Sequence, residues 1–280
     1  MRVDVVTAVH APYAAFLPTA WESLCAQSHS DWGWLVQVDG PYDEVLDALS
    51  ACGAARDARV RVEVNRTSEG PAVTRNVALG RGTAPLVQNV DADDLLEPDA
   101  LAILADALAA HPAAGFALGH ARDLLPTGEL RDHALPVPAG VLARGALLAD
   151  WATEPGAYRL PVHPAGVMWR RSLLLRIGGW SALRGMEDTG TLMAASAMAP
   201  GVLLDAPTLR YRKHPGQSSA QTSDFSGGGA SNRARTATGR GPGRAASVVR
   251  VRMPALSGRG VHGAHGAHSR YSSQDPVSPC

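Results

Sequence analysis

The chain has 280 residues, 45% of them hydrophobic, which is enough to bury the core of one large α/β domain or two small ones and excludes a fibre or a wholly disordered protein. Its formal net charge of zero hides an asymmetry, because residues 225–280 carry eight arginines against a single acid, Asp275, leaving the first 224 residues acidic. An acidic body excludes a general nucleic-acid surface, which neutralises phosphates with clustered Lys and Arg.

Cys25, Cys52 and Cys280 have neither metal-ligand spacing nor an even-numbered disulfide framework, which fits a reducing compartment. The N-terminus lacks the apolar core of a signal peptide, and no stretch approaches the ~20 apolar residues of a membrane span. The expectation is a cytoplasmic protein with no integral membrane segment, with peripheral association through a partner left open.

In chain order, residues 3–9 are short, β-branched and followed by the turn-prone His10-Ala11-Pro12, the pattern of a buried parallel strand. From Pro12, Tyr13, Leu17, Trp21 and Leu24 recur at helical spacing. Residues 34–38 form a second strand ending at Asp39-Gly40; residues 43–51 form a helix and 60–64 a third strand. Ser68-Glu69-Gly70-Pro71 caps and opens a helix running through Arg75, Asn76 and Leu79 to Gly80 or Gly82. A fourth strand, residues 85–90, delivers Asp91, and a helix follows from about Pro98 to Ala110. Strands alternating with helices predict a parallel sheet whose ligands sit at the carboxyl ends of its strands. Residues 119–224 are less regular, with breaks at Pro136-Val137-Pro138 and Pro155-Gly156, and form a smaller region against the sheet. Beyond Asp224, the Gly, Ser, Ala and Arg composition predicts disorder, since such a segment buries too little to offset its ordering entropy. The His262, His265 and His268 repeat inside it reads as low-complexity sequence.

Two acidic groups carry the candidate chemistry. Asp91 and Asp93 of Asp91-Ala92-Asp93-Asp94 share a face if the strand stays extended, and paired carboxylates there suit Mn²⁺ or Mg²⁺ together with substrate phosphates. The residues alone equally allow a solvated acidic turn that caps the next helix. Glu187-Asp188, followed by Leu192 and Met193, reads as the first turn of a helix, where acids complement the dipole.

The succession of Thr7 and Val9 in strand one, Asp39-Gly40 closing strand two, the Gly70-to-Asn76 segment opening a helix and the Val90-to-Asp94 segment closing strand four resembles family 2 glycosyltransferases of the GT-A fold. The likeness continues through Met168-Trp169-Arg170-Arg171-Ser172, Ile177-Gly178-Gly179-Trp180 and Gly185-Met186-Glu187-Asp188 to the segment from Tyr211 to Ser218. It thus covers about residues 3–219 and excludes the tail. The resemblance implies an α/β nucleotide-diphospho-sugar transferase fold: a Rossmann-like, mainly parallel sheet flanked by helices, with a smaller acceptor-side region. It divides the chain into a donor-binding half, 1–118, an acceptor-binding half of the same domain, 119–224, and the tail, 225–280.

It also implies roles. Thr7, Val9, Asp39, Arg75 and Asp91 would bind the donor, with Asp39 accepting a bond from the base and Asp91 contacting the ribose. Asp93 and His214 would hold Mn²⁺ or Mg²⁺, and Asp188 would be the catalytic base. Glu187 and Trp180 would border the acceptor, Trp180 and Trp169 being open as well to a place in the core. The implied reaction inverts the anomeric centre, moving a sugar from a nucleotide-diphosphate donor, with a slight preference for UDP, to a saccharide, lipid-linked or small-molecule hydroxyl. Asp39-Gly40-Pro41 departs from relatives that carry a second acid and a serine there, and Thr74 replaces a small apolar residue. The alternatives are an inactive nucleotide-sugar-binding relative and a nucleotidyltransferase, which lacks support because no glycine-rich basic loop follows strand one. A dinucleotide-dependent oxidoreductase is disfavoured because Val9-His10-Ala11-Pro12-Tyr13 is no Gly-x-Gly-x-x-Gly turn.

Overall fold

The computed structural model describes residues 1–133, 137–148, 162–183 and 185–217. The breaks at Pro136 and Pro155-Gly156, Ser218, the tail from 225 and its histidine repeat lie outside the described residues.

The first half alternates as expected. β1 (Val3–Val9), a 3-10 turn (Ala11–Phe16), α1 (Leu17–Cys25), β2 (Trp32–Val38), α2 (Asp43–Ala51), β3 (Val60–Val64), α3 (Pro71–Arg81), β4 (Leu86–Asn89), β5 (Leu95–Leu96) and α4 (Ala100–Ala110) follow one another. The second half supplies β6 (Phe116–Leu124), β7 (Leu130–Arg131), β8 (Gly140–Leu142), β9 (Met168–Arg170), α5 (Arg171–Arg176), α6 (Glu187–Met198) and β10 (Gly201–Arg212). The strands among the described residues join one sheet in the order β3-β2-β1-β4-β9-β6-β10-β5, with β7 on β6 and β8 on β10. β3, β2, β1 and β4 are mutually parallel, and β6 runs parallel to β10; β9 is antiparallel to both β4 and β6. The sheet is therefore mixed on its second side.

Side-chain alternation makes two cores from one sheet. Val3, Val5 and Val9 enter one core with Trp34, Val36, Val38, Leu101 and Leu104. Val6, Leu35 and Val87 turn to the other, against Ala72, Ala78 and Leu79 of α3 and Trp169, Leu174 and Leu192. A charge crosses this second layer: Asp4 is buried and accepts bonds from the Thr83 and Ala84 amides, both 2.8 Å, and from Arg171, 2.5 Å. A buried carboxylate is tolerated only when paired and hydrogen-bonded in this way. No helix among the described residues is long and apolar enough to cross a membrane.

Candidate active site

β1, β2, β4, β6 and β10 end on one side of the sheet, and the candidate residues gather beyond those ends. The Asp91–Asp94 segment is not extended, which corrects the expectation of a continued strand. The Asp94 amide donates to the Asp91 carbonyl (3.1 Å), closing a tight turn before β5. Asp91 and Asp93 consequently look toward different partners.

Asp91 faces α3. Its carboxylate lies 2.6 Å from Arg75 Nη2, and Arg75 Nη1 lies 3.2 Å from Asp188 and 3.4 Å from Glu187. One buried guanidinium thus meets three carboxylates from two separate elements. Burial works against the Arg75 charge, but Asp188, Asp91 and Glu187 outweigh it and hold the guanidinium above its ordinary range. Asp188 is shifted as well: burial, with the charges of Asp91 and Glu187, raises its carboxyl to about 7 against the opposing pull of Arg75. One Asp188 oxygen is buried without an aligned hydrogen bond. A carboxyl in this state exchanges its proton near neutrality.

Asp93 faces β10. Its Oδ2 lies 3.0 Å from His214 Nε2, so the two expected metal ligands meet across the crevice. The histidine is placed by its own turn: the His214 amide donates to Gln217 Oε1 (3.0 Å), and Gln217 Nε2 donates to the Tyr211 hydroxyl (3.2 Å). Phe16 (4.7 Å between centroids) and Tyr13 (6.0 Å) flank its ring. Arg212 fixes the facing turn, donating its amide to Asp94 (3.0 Å) and its Nε to the Asp93 carbonyl (2.8 Å). Burial and the Asp91 charge raise Asp93, and the His214 bond opposes them; burial and both neighbouring aspartates push Asp94 well up. Among the described residues no three His, Cys, Asp or Glu side chains form a metal cage. A carboxylate and an imidazole face to face nevertheless fit a cation that takes its remaining ligands from water and phosphate oxygens.

The structure gives the three other expected donor residues partners within the protein. Thr7 is buried, and its hydroxyl donates to the Val90 carbonyl (2.8 Å) and accepts from Trp34 Nε1 (2.9 Å), tying β1 to the end of β4 and to β2. Val9 is buried too, its carbonyl accepting the Asp39 amide at 2.8 Å. Asp39 gives both oxygens to the chain: Oδ1 accepts from the Glu69 amide (2.7 Å) and the Thr74 hydroxyl (2.8 Å), and Oδ2 from the Gly70 amide (3.0 Å) and Ser68 (3.1 Å). It holds the turn that leads into α3, and these bonds together hold its carboxyl below the usual range against the opposing effect of burial. On the acceptor side, Trp180 is only 2% exposed and belongs to the second core, so it offers no open ring face to a sugar. Trp169 is likewise core.

The ends of β1 and β2 instead present His10 and Tyr42, with His10 Nε2 3.1 Å from the Tyr42 hydroxyl and the rings edge to face. Neither was singled out from the sequence, because nothing local marks residues from two different loops as a pair. Arg75 as the hub of three acids was equally hidden, since Glu187 and Asp188 stand more than a hundred positions away.

The family model for glycosyl transferase family 2 matches residues 4–159. The chain is 34% identical over 113 residues to the O-antigen biosynthesis protein RfbC of Myxococcus xanthus, a match covering 39% of this chain and 9% of that protein. Among solved structures, S. aureus TarS 1-349 in complex with UDP-GlcNAc superposes with a TM-score of 0.63 at 19% identity, covering 78% of this chain and 60% of that one. Mannosyltransferase PcManGT from Pyrobaculum calidifontis, in complex with GDP-Man and Mn2+, gives 0.55 at 19% identity, covering 78% and 58%. At that identity the structural likeness is one of fold, the GT-A fold, and the chain spans less than two thirds of each of these proteins. With more than half of its residues inside the family match, the chain belongs to glycosyl transferase family 2.

Proposed function

We propose that the chain transfers a sugar from a nucleoside-diphosphate donor to a hydroxyl acceptor, with inversion at the anomeric carbon. The observation that carries this reading is Asp188: a carboxyl poised near 7, linked through Arg75 to Asp91 on the donor side. TarS and PcManGT, which share the fold, were solved with UDP-GlcNAc and with GDP-Man and Mn2+. Donor binding falls to residues 1–118, with Arg75 and Asp91 nearest the reacting end. The acceptor, a saccharide, lipid-linked sugar or small molecule, enters over residues 119–224 beside Glu187.

In the reaction, Asp188 takes the proton from the acceptor hydroxyl as that oxygen bonds to the anomeric carbon. The bond from that carbon to the diphosphate oxygen breaks, and the nucleoside diphosphate departs from the opposite face. Asp93 and His214 would hold Mn²⁺ or Mg²⁺, which supplies Lewis-acid stabilisation of charge on the leaving diphosphate. UDP is the slightly preferred nucleotide. Arg75 keeps Asp188 ionised often enough to work at neutral pH, and Asn76 holds the segment before it, its side chain accepting from the Trp180 amide (2.8 Å) and donating to the Trp180 carbonyl (2.9 Å).

The test is Asp188→Asn, which keeps shape and removes the base. Turnover should fall by about 10²- to 10⁴-fold while nucleoside diphosphate binding persists, and the wild-type product, followed by NMR, should carry the anomeric configuration opposite to the donor's. Unchanged turnover in the variant would remove Asp188 from the reaction, and a product of retained configuration would overturn direct displacement.

A further inference from the structure

His163 stands just before β9, beside the site and in none of the roles above. Its Nδ1 accepts the Ala165 amide at 3.3 Å, which leaves the ring proton on Nε2. Its ring lies against Tyr211, centroids 4.4 Å apart. Nε2 has no partner among the described residues and is not sealed from solvent. The charges that reach it are those of Asp91, Lys213, Asp123 and His133, so it sits among the ends of β4, β6 and β10. Burial pushes its imidazole down to about 4, which keeps it neutral at working pH.

A neutral imidazole with one nitrogen committed and the other without a partner among the described residues is a single, oriented hydrogen-bond donor. Asp93 and His214 mark the diphosphate end of the crevice and Asp188 the acceptor end, so the transferred sugar must lie between them, beside Asp91. His163 stands beside that same interval, its ring against Tyr211 on β10 and its imidazole within electrostatic reach of Asp91. We propose that His163 recognises the sugar being transferred, donating a hydrogen bond from Nε2 to one of its hydroxyls. This rests on the reading of the site as a nucleotide-sugar site.

The experiment is calorimetric titration of wild type, His163→Leu and His163→Gln with UDP, GDP, UDP-GlcNAc and GDP-mannose in Mn²⁺. All three proteins should bind the preferred nucleoside diphosphate alike. His163→Leu should bind the matching sugar nucleotide about three- to tenfold more weakly, the range of one neutral hydrogen bond, and His163→Gln, which keeps an N–H donor, should recover part of the loss. Sugar-nucleotide binding untouched in His163→Leu, or an equal loss for the bare diphosphate, would overturn the proposal. Failure of the wild type to bind any of the four would overturn the underlying reading instead, and the proposal with it. As an independent readout, the ¹⁵N resonance of His163 Nε2 should move when sugar nucleotide is added and stay with nucleoside diphosphate alone; a resonance that ignores the sugar counts against the assignment.

Discussion

Arg75 governs the ionisation of the site, because a single guanidinium stands within 3.4 Å of Asp91, Glu187 and Asp188. Without it, Asp188 loses the charge that opposes its burial, and its carboxyl rises above about 7. The expected outcome for Arg75→Gln is a kcat/KM profile whose rise with pH moves to higher pH, measured as donor turnover between pH 5 and 9; an unmoved midpoint would separate Arg75 from Asp188. Stability should follow the same logic. A carboxyl raised by folding binds more protons in the folded than in the unfolded state, so stability falls as pH climbs from about 4 through 7. Arg75→Gln steepens that fall: the variant should lose about 3–5 kcal/mol at pH 8, the typical result of leaving buried charge unpaired, and less at pH 5, as chemical denaturation would show.

α3 is the element that joins these parts. Thr74, Arg75 and Asn76 are consecutive, yet Thr74 donates to Asp39, Arg75 meets the three acids, and Asn76 clamps the Trp180 main chain. Helical geometry fans the three side chains around the axis, so one turn of α3 registers β2, β4 and the segment leading to α6. Gly179, at a φ of 77°, brings its backbone against Asn76, where any β-carbon would collide with the amide. Asn76→Ala should therefore lower kcat by about tenfold, from two lost hydrogen bonds of roughly 1 kcal/mol each that are partly replaced by water. Nucleoside diphosphate affinity should stay within about twofold; equal losses in both would mean that α3 is simply unfolding. At this scale the sequence was informative where the signal is local. β1, α2 and β3 keep the bounds read from periodicity and turn residues. The Asp91–Asp94 turn escaped because one backbone bond, Asp94 to Asp91, decides it. The inward roles of Thr7 and Asp39 escaped because their partners, Val90, Trp34 and Thr74, become neighbours only after the strands pair.

For the molecule as a whole, the sheet is the device that brings distant segments to one edge. β10 runs parallel to β6 and ends at the turn that follows β4, so His214 arrives opposite Asp93 from 121 positions away. The resemblance to family 2 glycosyltransferases singles out Asp91, Asp93, Asp188 and His214, and the fold sets Asp93 beside His214 and links Asp91 to Asp188 through Arg75. The antiparallel placement of β9 between β4 and β6, and with it His163, could not be read from a pattern that registers only alternation along the chain. In the proposed reading the two groups take separate tasks, Asp93 and His214 toward the diphosphate and Arg75, Glu187 and Asp188 toward the transfer itself. Asp93→Asn addresses this most directly, through calorimetric titration of UDP and GDP into wild type and variant, each in Mn²⁺ and in EDTA. Diphosphate binding should be strong only with Mn²⁺ in the wild type and at least about tenfold weaker in the variant, a second-ligand loss on the scale of a charge-assisted contact. Binding of equal strength in all four conditions would contradict the assignment of this crevice to the donor diphosphate.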